Sequence, residues 1–253
     1  MEEKILSVKG LNLGYSNNGE YKKILEDINL DIKKGEIVSI IGPSGCGKST
    51  LLGAVGGINN DYSGDIFFKG EKVNSPSSER GYIFQKPALF DWMNVEDNIG
   101  YGLKIRKEDS KKMKEKIHSY VEEIGLGGYE KYYPNSLSGG MQQRVSLARV
   151  LIMQPEMLLM DEPFSALDYQ TRVEMQGLTL RLWEHYKPSI VFVTHDIEEA
   201  ILLADKVMVM SKNPGKIIDV IDIDFERPRN IDIISDIRFV EIKKKLLNML
   251  MAK

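Results

Sequence analysis

The sequence predicts an α/β fold: a mainly parallel sheet flanked by helices, with a helical subdomain inserted into its strand order. Three observations carry this. In the last third, the short apolar runs Met157 to Met160, Ile190 to Val193 and Val207 to Met210 alternate with helical stretches near Asp168 to Tyr186 and Asp196 to Ala204. Parallel strands need such crossovers, and strands buried on both faces read as unbroken apolar runs. Earlier, the apolar run Ile37 to Ile41 passes through a glycine-rich turn into Leu51-Leu52-Gly53-Ala54, which can continue a helix. Between these regions the pattern changes period. From Val95 to about Ile152 it is helical, with Met113, Ile117, Val121 and Ile124 recurring at three- and four-residue spacing.

The first third reads as strands joined by turns: Ile5 to Lys9, Leu25 to Ile32, Ile37 to Ile41 and Asp65 to Phe68. The breaks fall at Asn17-Asn18-Gly19, Lys34-Gly35 and Lys69-Gly70. The charges of the middle stretch read as a solvated helix surface beside one buried stripe. Near the end, Phe239, Ile242, Leu246, Leu247 and Leu250 predict a final amphipathic helix that closes the core.

Composition excludes several classes. Hydrophobic residues at 42% and charged residues at 28% argue against disorder, collagen or a coiled coil. Lys+Arg 34 against Asp+Glu 37 leaves net −3, so there is no bulk pull toward nucleic acid, and none is expected as a partner. Cys46 is the single cysteine, which rules out an internal disulfide framework and fits a reducing compartment. The start, Met1-Glu2-Glu3-Lys4-Ile5, lacks a signal-peptide pattern, and the apolar runs stop short of the ~20 residues that a bilayer helix needs. A soluble, intracellular chain is expected, held at any membrane by something else.

The strongest local pattern is Gly42-Pro43-Ser44-Gly45-Cys46-Gly47-Lys48-Ser49-Thr50, a phosphate loop in its proper place between strand and helix. Glycines let successive N–H groups point at one anion, and the helix N-terminus adds partial positive charge. Lys48 is expected to reach the β- and γ-phosphates and Ser49 to coordinate Mg²⁺. Met157-Leu158-Leu159-Met160-Asp161-Glu162 supplies an apolar strand ending in two carboxylates. Asp161 is expected to support Mg²⁺, and Glu162 to act as base for the attacking water. Alone, a buried strand with an acidic end is common; beside a phosphate loop it is the second half of a nucleotide site. Cys46 reads either as a small filler or as a thiol activated by the helix N-terminus.

A second stretch, Leu137-Ser138-Gly139-Gly140-Met141-Gln142-Gln143-Arg144, opens another helix, with Ser138 at the N-cap and two glycines exposing backbone N–H groups. This resembles the LSGGQ signature of the nucleotide-binding subunits of ABC transporters; Met141 stands where glutamine is commonest, as in the LSGGM-x-QR form of importer subunits. The resemblance runs in order from Tyr15 to His195. Tyr15 is similar to the aromatic that stacks on adenine, Gln85 to the glutamine that touches Mg²⁺ and senses the γ-phosphate, and Ser165-Ala166-Leu167-Asp168 to the loop that crosses between subunits. His195 matches the switch histidine that holds the γ-phosphate and orients Glu162. Without the resemblance, Tyr15 would be a surface tyrosine and His195 a structural histidine.

The resemblance implies a single nucleotide-binding unit over 1–253. Its P-loop NTPase core with an N-terminal antiparallel β subdomain spans about 1–86 and 155–225, its helical subdomain about 87–154, and its C-terminal helical segment about 226–253. It implies ATP and Mg²⁺, and a head-to-tail homodimer in which Ser138, Gly139 and Gly140 of one copy close over ATP on the other. It also implies a separate integral membrane permease, an extracytoplasmic solute-binding protein acting through that permease, and a place on the cytoplasmic side of the membrane. Glu162-Pro163-Phe164-Ser165 looks like importers rather than exporters. Lys86 to Val95 resembles the groove that grips a permease, or else is an apolar loop packed within the helical subdomain. Pro87-Ala88-Leu89 and Arg227-Pro228-Arg229 are most similar to subunits serving nitrate, sulfonate and taurine importers. Residues after Gly215 are too few for the regulatory domain that some importer subunits append. Two rivals share the loop: a soluble, non-transport ABC ATPase, and a P-loop kinase or GTPase. The first usually carries two cassettes or a coiled-coil insertion, and the second leaves Ser138-Gly139-Gly140 unexplained.

Overall fold

The computed structural model describes residues 3–17 and 20–251. In chain order the strands are β1 (Lys4–Asn17), β2 (Glu20–Lys33), β3 (Ile37–Ile41), β4 (Tyr62–Phe68), β5 (Glu71–Lys72), β6 (Arg80–Ile83), β7 (Met157–Asp161), β8 (Ser189–Thr194), β9 (Lys206–Met210) and β10 (Ile217–Asp222). The helices are α1 (Lys48–Val55), α2 (Val95–Ile105), α3 (Ser110–Glu123), α4 (Gly139–Leu151), α5 (Tyr169–Tyr186), α6 (Ile197–Leu203) and α7 (Ile237–Met251). The turn expected at Asn17-Asn18-Gly19 falls at Asn18 and Gly19, outside the described residues.

The strands form two sheets. One has the order β2-β1-β4-β5 and is antiparallel; the other runs β10-β9-β3-β8-β7-β6, parallel from β9 to β6 with β10 antiparallel at its edge. Strand periodicity divides the core between them. Ile37 and Ile41, Ile190 and Phe192, Leu158 and Met160, and Val207 and Val209 pack with the helices. Their alternates Val38 and Ile40, Val191 and Val193, Met157 and Leu159, and Met208 and Met210 pack with α1 and the antiparallel sheet. Each central strand is therefore mostly apolar because it is buried on both faces, with Ser39 a buried polar exception within β3 and polar residues otherwise confined to the strand ends.

α2, α3 and α4 enter the chain between β6 and β7. The expected helical pattern from Val95 to Ile152 is interrupted: residues 124–138 are turns with a short 3₁₀ segment, Pro134–Ser136. Gly125 and Gly128 adopt left-handed φ of 68° and 87°, and Pro134 follows, so no helix continues through. α7 closes the core as expected through Phe239 and Leu246, with Ile242 and Leu250 partly buried against the same cluster. Leu247, expected in that face, is instead 39% exposed, since it lies on the next flank of the helix. Strands β6 and β10 were not expected from patterning. β6 is four residues long, and β10 is an edge strand with Ile218 and Val220 turned outward.

The order of the parallel sheet decides where chemistry gathers. β3, β8, β7 and β6 are successive neighbours, paired at Ile41↔Thr194, Asp161↔Val193 and Ile83↔Met160. Their carboxyl ends lie side by side, and a crevice outside such ends is where open α/β sheets bind ligands.

Candidate active site

β3 delivers the chain into the phosphate loop, and α1 begins at Lys48 with Gly47 as its N-cap. Gly47 has φ 101°, and a Cβ there would stand 2.6 Å from Leu25 Cδ2 of β2, so only glycine fits both its backbone and its neighbour. Lys48 is buried, and its Nζ donates to the carbonyls of Gly42 at 2.9 Å and Pro43 at 3.3 Å. The ammonium is thus held within the loop between Gly42 and Lys48. Cys46 is 1% exposed, and burial pushes its thiol up rather than down. It serves as filler beneath the loop, and the activated-thiol alternative is corrected by this burial.

Ser49 Oγ donates to Asp161 Oδ1 at 2.8 Å, joining the loop helix to the end of β7. Burial and the adjacent Glu162 raise the Asp161 pKa, with the Ser49 hydrogen bond opposing them. A half-buried carboxylate beside a second carboxylate and a hydroxyl is a set of hard oxygen donors that a divalent cation would satisfy. The residues therefore fit the magnesium ion expected from the sequence.

Glu162 follows Asp161 with φ 44°, a left-handed conformation rare for a residue with a side chain. Its N–H donates to Val193 O at 3.0 Å, which pins it to β8. Strain of about 1–2 kcal/mol held this way turns its carboxylate toward two partners. His195 Nδ1 lies 3.2 Å from Glu162 Oε2, and Gln85 Nε2 donates to the same oxygen at 3.3 Å. Gln85 also reaches Ser165 Oγ at 3.3 Å, and Ser165 Oγ donates to Glu162 O at 3.0 Å. Ends of β6, β7 and β8 thereby converge on one carboxylate. Ser165 was noted in the sequence only as part of a loop, and its contact with Glu162 came from no sequence signal.

Ser138 caps α4 as expected, its Oγ accepting from Met141 N–H at 3.3 Å. Ser138 and Gly139 are exposed, while Gly140 is buried, with Thr171 of α5 occupying the space a Cβ would need. Asp168 caps α5 and accepts from Thr171 N–H and Oγ1 at 3.1 and 2.7 Å, which hold its carboxyl below the usual range. Tyr15 lies on β1, 46% exposed, with its hydroxyl accepting from Asn59 Nδ2 at 3.0 Å. The structure thus brings Lys48, Ser49, Asp161, Glu162, His195 and Gln85 into one connected cluster. It leaves Ser138 and Gly139 on an open helix tip, and Tyr15 on the antiparallel sheet.

Two residues were missed. Asn98 is fully buried and organises the loop at 90–94: its amide accepts from Phe90 N–H at 2.9 Å and donates to the carbonyls of Phe90, Met93 and Asn94. Gly215 packs on the phosphate loop so closely that a Cβ would stand 2.1 Å from Cys46 O. Neither an isolated asparagine nor a glycine after the last parallel strand carries a pattern by which sequence could find it.

Residues 25–165, which hold the phosphate loop, the β7 carboxylates and the Ser138 helix tip, match the model of the ABC transporter family. The chain belongs to that family. Among its ABC relatives, an aliphatic sulfonates import ATP-binding protein SsuB of Bacillus cereus is 44% identical over 96% of this chain and 94% of its own. A taurine import ATP-binding protein TauB of Pelagibacter ubique is 41% identical over 92% of this chain and 89% of its own. Solved ABC structures share the fold. A dimeric post-hydrolysis state of the ATP-binding cassette MJ0796 bound to ADP and Pi has a TM-score of 0.77 at 28% identity, covering 87% of this chain and all of that one. The cbiO1 subunit of Clostridium perfringens, part of the cbiONQ transporter complex, has a TM-score of 0.79 at 28% identity over 99% of each chain. The ABC cassette expected from the sequence is the fold observed.

Proposed function

We propose that the chain is the ATP-hydrolysing subunit of an ABC importer that takes up a small solute of the sulfonate or taurine kind. The observation that carries this is the convergence of four strand ends: Lys48 and Ser49 after β3, Asp161 and Glu162 at β7, His195 after β8, and Gln85 after β6, joined by the contacts above. The sulfonate and taurine import names of relatives matching about nine-tenths of the chain support the solute class.

In this reading two copies pair head to tail, and ATP on the phosphate loop of one is covered by Ser138, Gly139 and Gly140 of the other. Neither surface alone neutralises the triphosphate, so nucleotide joins them. Backbone N–H groups of residues 42–50 and the Lys48 ammonium hold the phosphates, and Tyr15 offers its ring to the adenine. Ser49 and Asp161, with Gln85, would hold magnesium, which when bound neutralises charge on the β- and γ-phosphate oxygens. Glu162 accepts a proton from water as the water oxygen bonds to the γ-phosphorus and the bond to the β–γ bridging oxygen breaks, leaving ADP and phosphate. His195 and Gln85 fix the Glu162 carboxylate from two sides, and His195 also bonds the γ-phosphate. Asp168 and its loop face the partner copy. Loss of the bridging phosphoryl group loosens the pair.

Among the described residues no helix is long and apolar enough to cross a membrane. In this reading transport runs through a separate permease, with the chain on its cytoplasmic side and a solute-binding protein on the other, as the import ATP-binding names of the relatives support. The loop 86–95 supplies the docking surface: Trp92 is 73% exposed, while Phe90 is held from behind by Tyr101 and Arg149. The packing of Phe90 supports the reading of a loop packed on the helical subdomain, and the exposed Trp92 supports the groove reading adopted in this proposal.

Glu162→Gln keeps the shape and removes the base. It is expected to bind ATP and to hydrolyse it at least ~100-fold more slowly, measured as phosphate release. Unchanged turnover would remove Glu162 from the mechanism.

A further inference from the structure

Behind His195 lies a polar set that phosphate chemistry does not use. Arg172, on the first turn of α5, reaches two segments at once. Its Nη2 donates to Leu167 O at 3.1 Å, within the Ser165–Asp168 loop, and its Nη1 lies 3.4 Å from Asp196 Oδ2, beside His195. Asp196 is itself fixed. Its N–H donates to Thr194 Oγ1 at 3.0 Å, and its Oδ1 caps α6 by accepting from Glu198 N–H and Glu199 N–H. Moving the Leu167 carbonyl therefore pulls, through one planar guanidinium, on the turn that carries His195.

The same set is incompletely satisfied. Glu199 is 4% exposed and accepts from Gln176 Nε2 at 3.4 Å, yet its Oε1 has no hydrogen-bond partner among the described residues. Arg172 Nε is likewise buried and unpartnered. Both residues line one cavity of about 40 Å³ with Gln176 and Asp196. Buried polar atoms are nearly always paired, so a spare donor and a spare acceptor beside one cavity mark this set as something other than plain packing. The Arg172–Asp196 pair is part-exposed and adds little to stability, so its consequence is geometric.

We propose that Arg172 is a positioning residue that couples the loop Ser165–Asp168 to His195, so that contact with a second copy sets the histidine beside Glu162. This rests on the paired-copy reading above and adds to it a route from the subunit boundary to the catalytic carboxylate. The contacts of Arg172 are to Leu167 O and Asp196, so the strut is expected to act on the rate of the chemical step and to leave ATP capture alone.

The test uses the full chain with magnesium and ATP. Arg172→Met keeps the stem and removes both contacts. It is expected to lower kcat about 10- to 100-fold, as misplacement of a reacting group does, with KM for ATP within about two-fold of the parent. Arg172→Lys restores a point charge that cannot span both acceptors and is expected to recover part of the loss. Asp196→Asn retains an N-cap while weakening the ion pair, so it reports on the same strut should Arg172→Met not fold. Its loss is expected to be less than additive with that of Arg172→Met. A kcat within about two-fold of the parent in Arg172→Met or Asp196→Asn overturns the proposal, as does a rise in KM at unchanged kcat. A Glu162→Gln chain that binds ATP with magnesium yet stays single overturns the paired-copy reading and the strut with it; a pairing, active parent with indifferent variants overturns the strut alone.

Discussion

Truncating Asn98 to alanine removes an amide that makes four hydrogen bonds at zero exposure. Not all four partners are stranded. Phe90 O keeps the N–H of Met93, and Asn94 O keeps the backbone N–H of residue 98. Phe90 N–H and Met93 O have no other bond among the described residues and lose the one they have. These two groups are part-buried, which places each in the lower half of the about 1–3 kcal/mol that a buried unmade bond costs, so the expected cost is about 3 kcal/mol, or a Tm lower by about 6–12 °C. Asn98→Asp is nearly isosteric and keeps the acceptor for Phe90 N–H, but it sets a carboxylate against three carbonyl oxygens. It is expected to cost more than alanine at neutral pH. Urea unfolding followed by tryptophan fluorescence measures both, since Trp92 sits in the loop that Asn98 holds. A loss below about 1 kcal/mol for alanine, or a milder effect for aspartate than for alanine, would refute the reasoning.

Two further outcomes are expected. Arg229 is buried and donates to the carbonyls of Phe225, Ile201, Ala204 and Ile223, so Arg229→Met is expected to lower unfolding free energy in urea by about 3–5 kcal/mol; a loss under about 1 kcal/mol would argue against that clamp. Burial raises Glu199 from 4.5 to about 7, with Asp196 adding to the rise and Thr194, Gln176 and Arg172 opposing it. The folded chain then holds this proton more tightly than the unfolded one, so stability falls as pH rises from about 4.5 to 7, by about 3 kcal/mol. Glu199→Gln is expected to flatten that part of the stability–pH curve; an unchanged slope would show that Glu199 does not titrate there.

Much of this was legible before any coordinates, and for identifiable reasons. Ile37 to Ile41, Met157 to Met160 and Val207 to Met210 read as central strands because burial on both faces makes nearly every position apolar, Ser39 being the exception. The phosphate loop and the Ser138 helix start were legible because their chemistry forces glycine and a capping hydroxyl at fixed spacing. β10 escaped because an edge strand with Ile218 and Val220 outward lacks that signature. The break between α3 and α4 was hidden by apolar residues such as Leu126 and Leu137, which are buried without being helical. Arg227-Pro228-Arg229 stood out as a family-like motif, yet the structure uses it as a clamp, with Arg227 on Asp205 and Arg229 on four carbonyls. Asn98, Gly215 and Arg172 act through contacts with distant or irregular backbone, which no local pattern encodes.

In the proposed mechanism each ATP lies between the Lys48 loop of one copy and the Ser138 helix tip of another. This placement is tested most directly by the mass of the Glu162→Gln chain in solution with magnesium and ATP. A stable pair is expected with ATP, single chains without it, and single chains again when Ser138→Arg is added, although Lys48 and its loop still bind nucleotide. A Glu162→Gln chain that binds ATP but stays single, or one that still pairs with Ser138→Arg present, would contradict this placement.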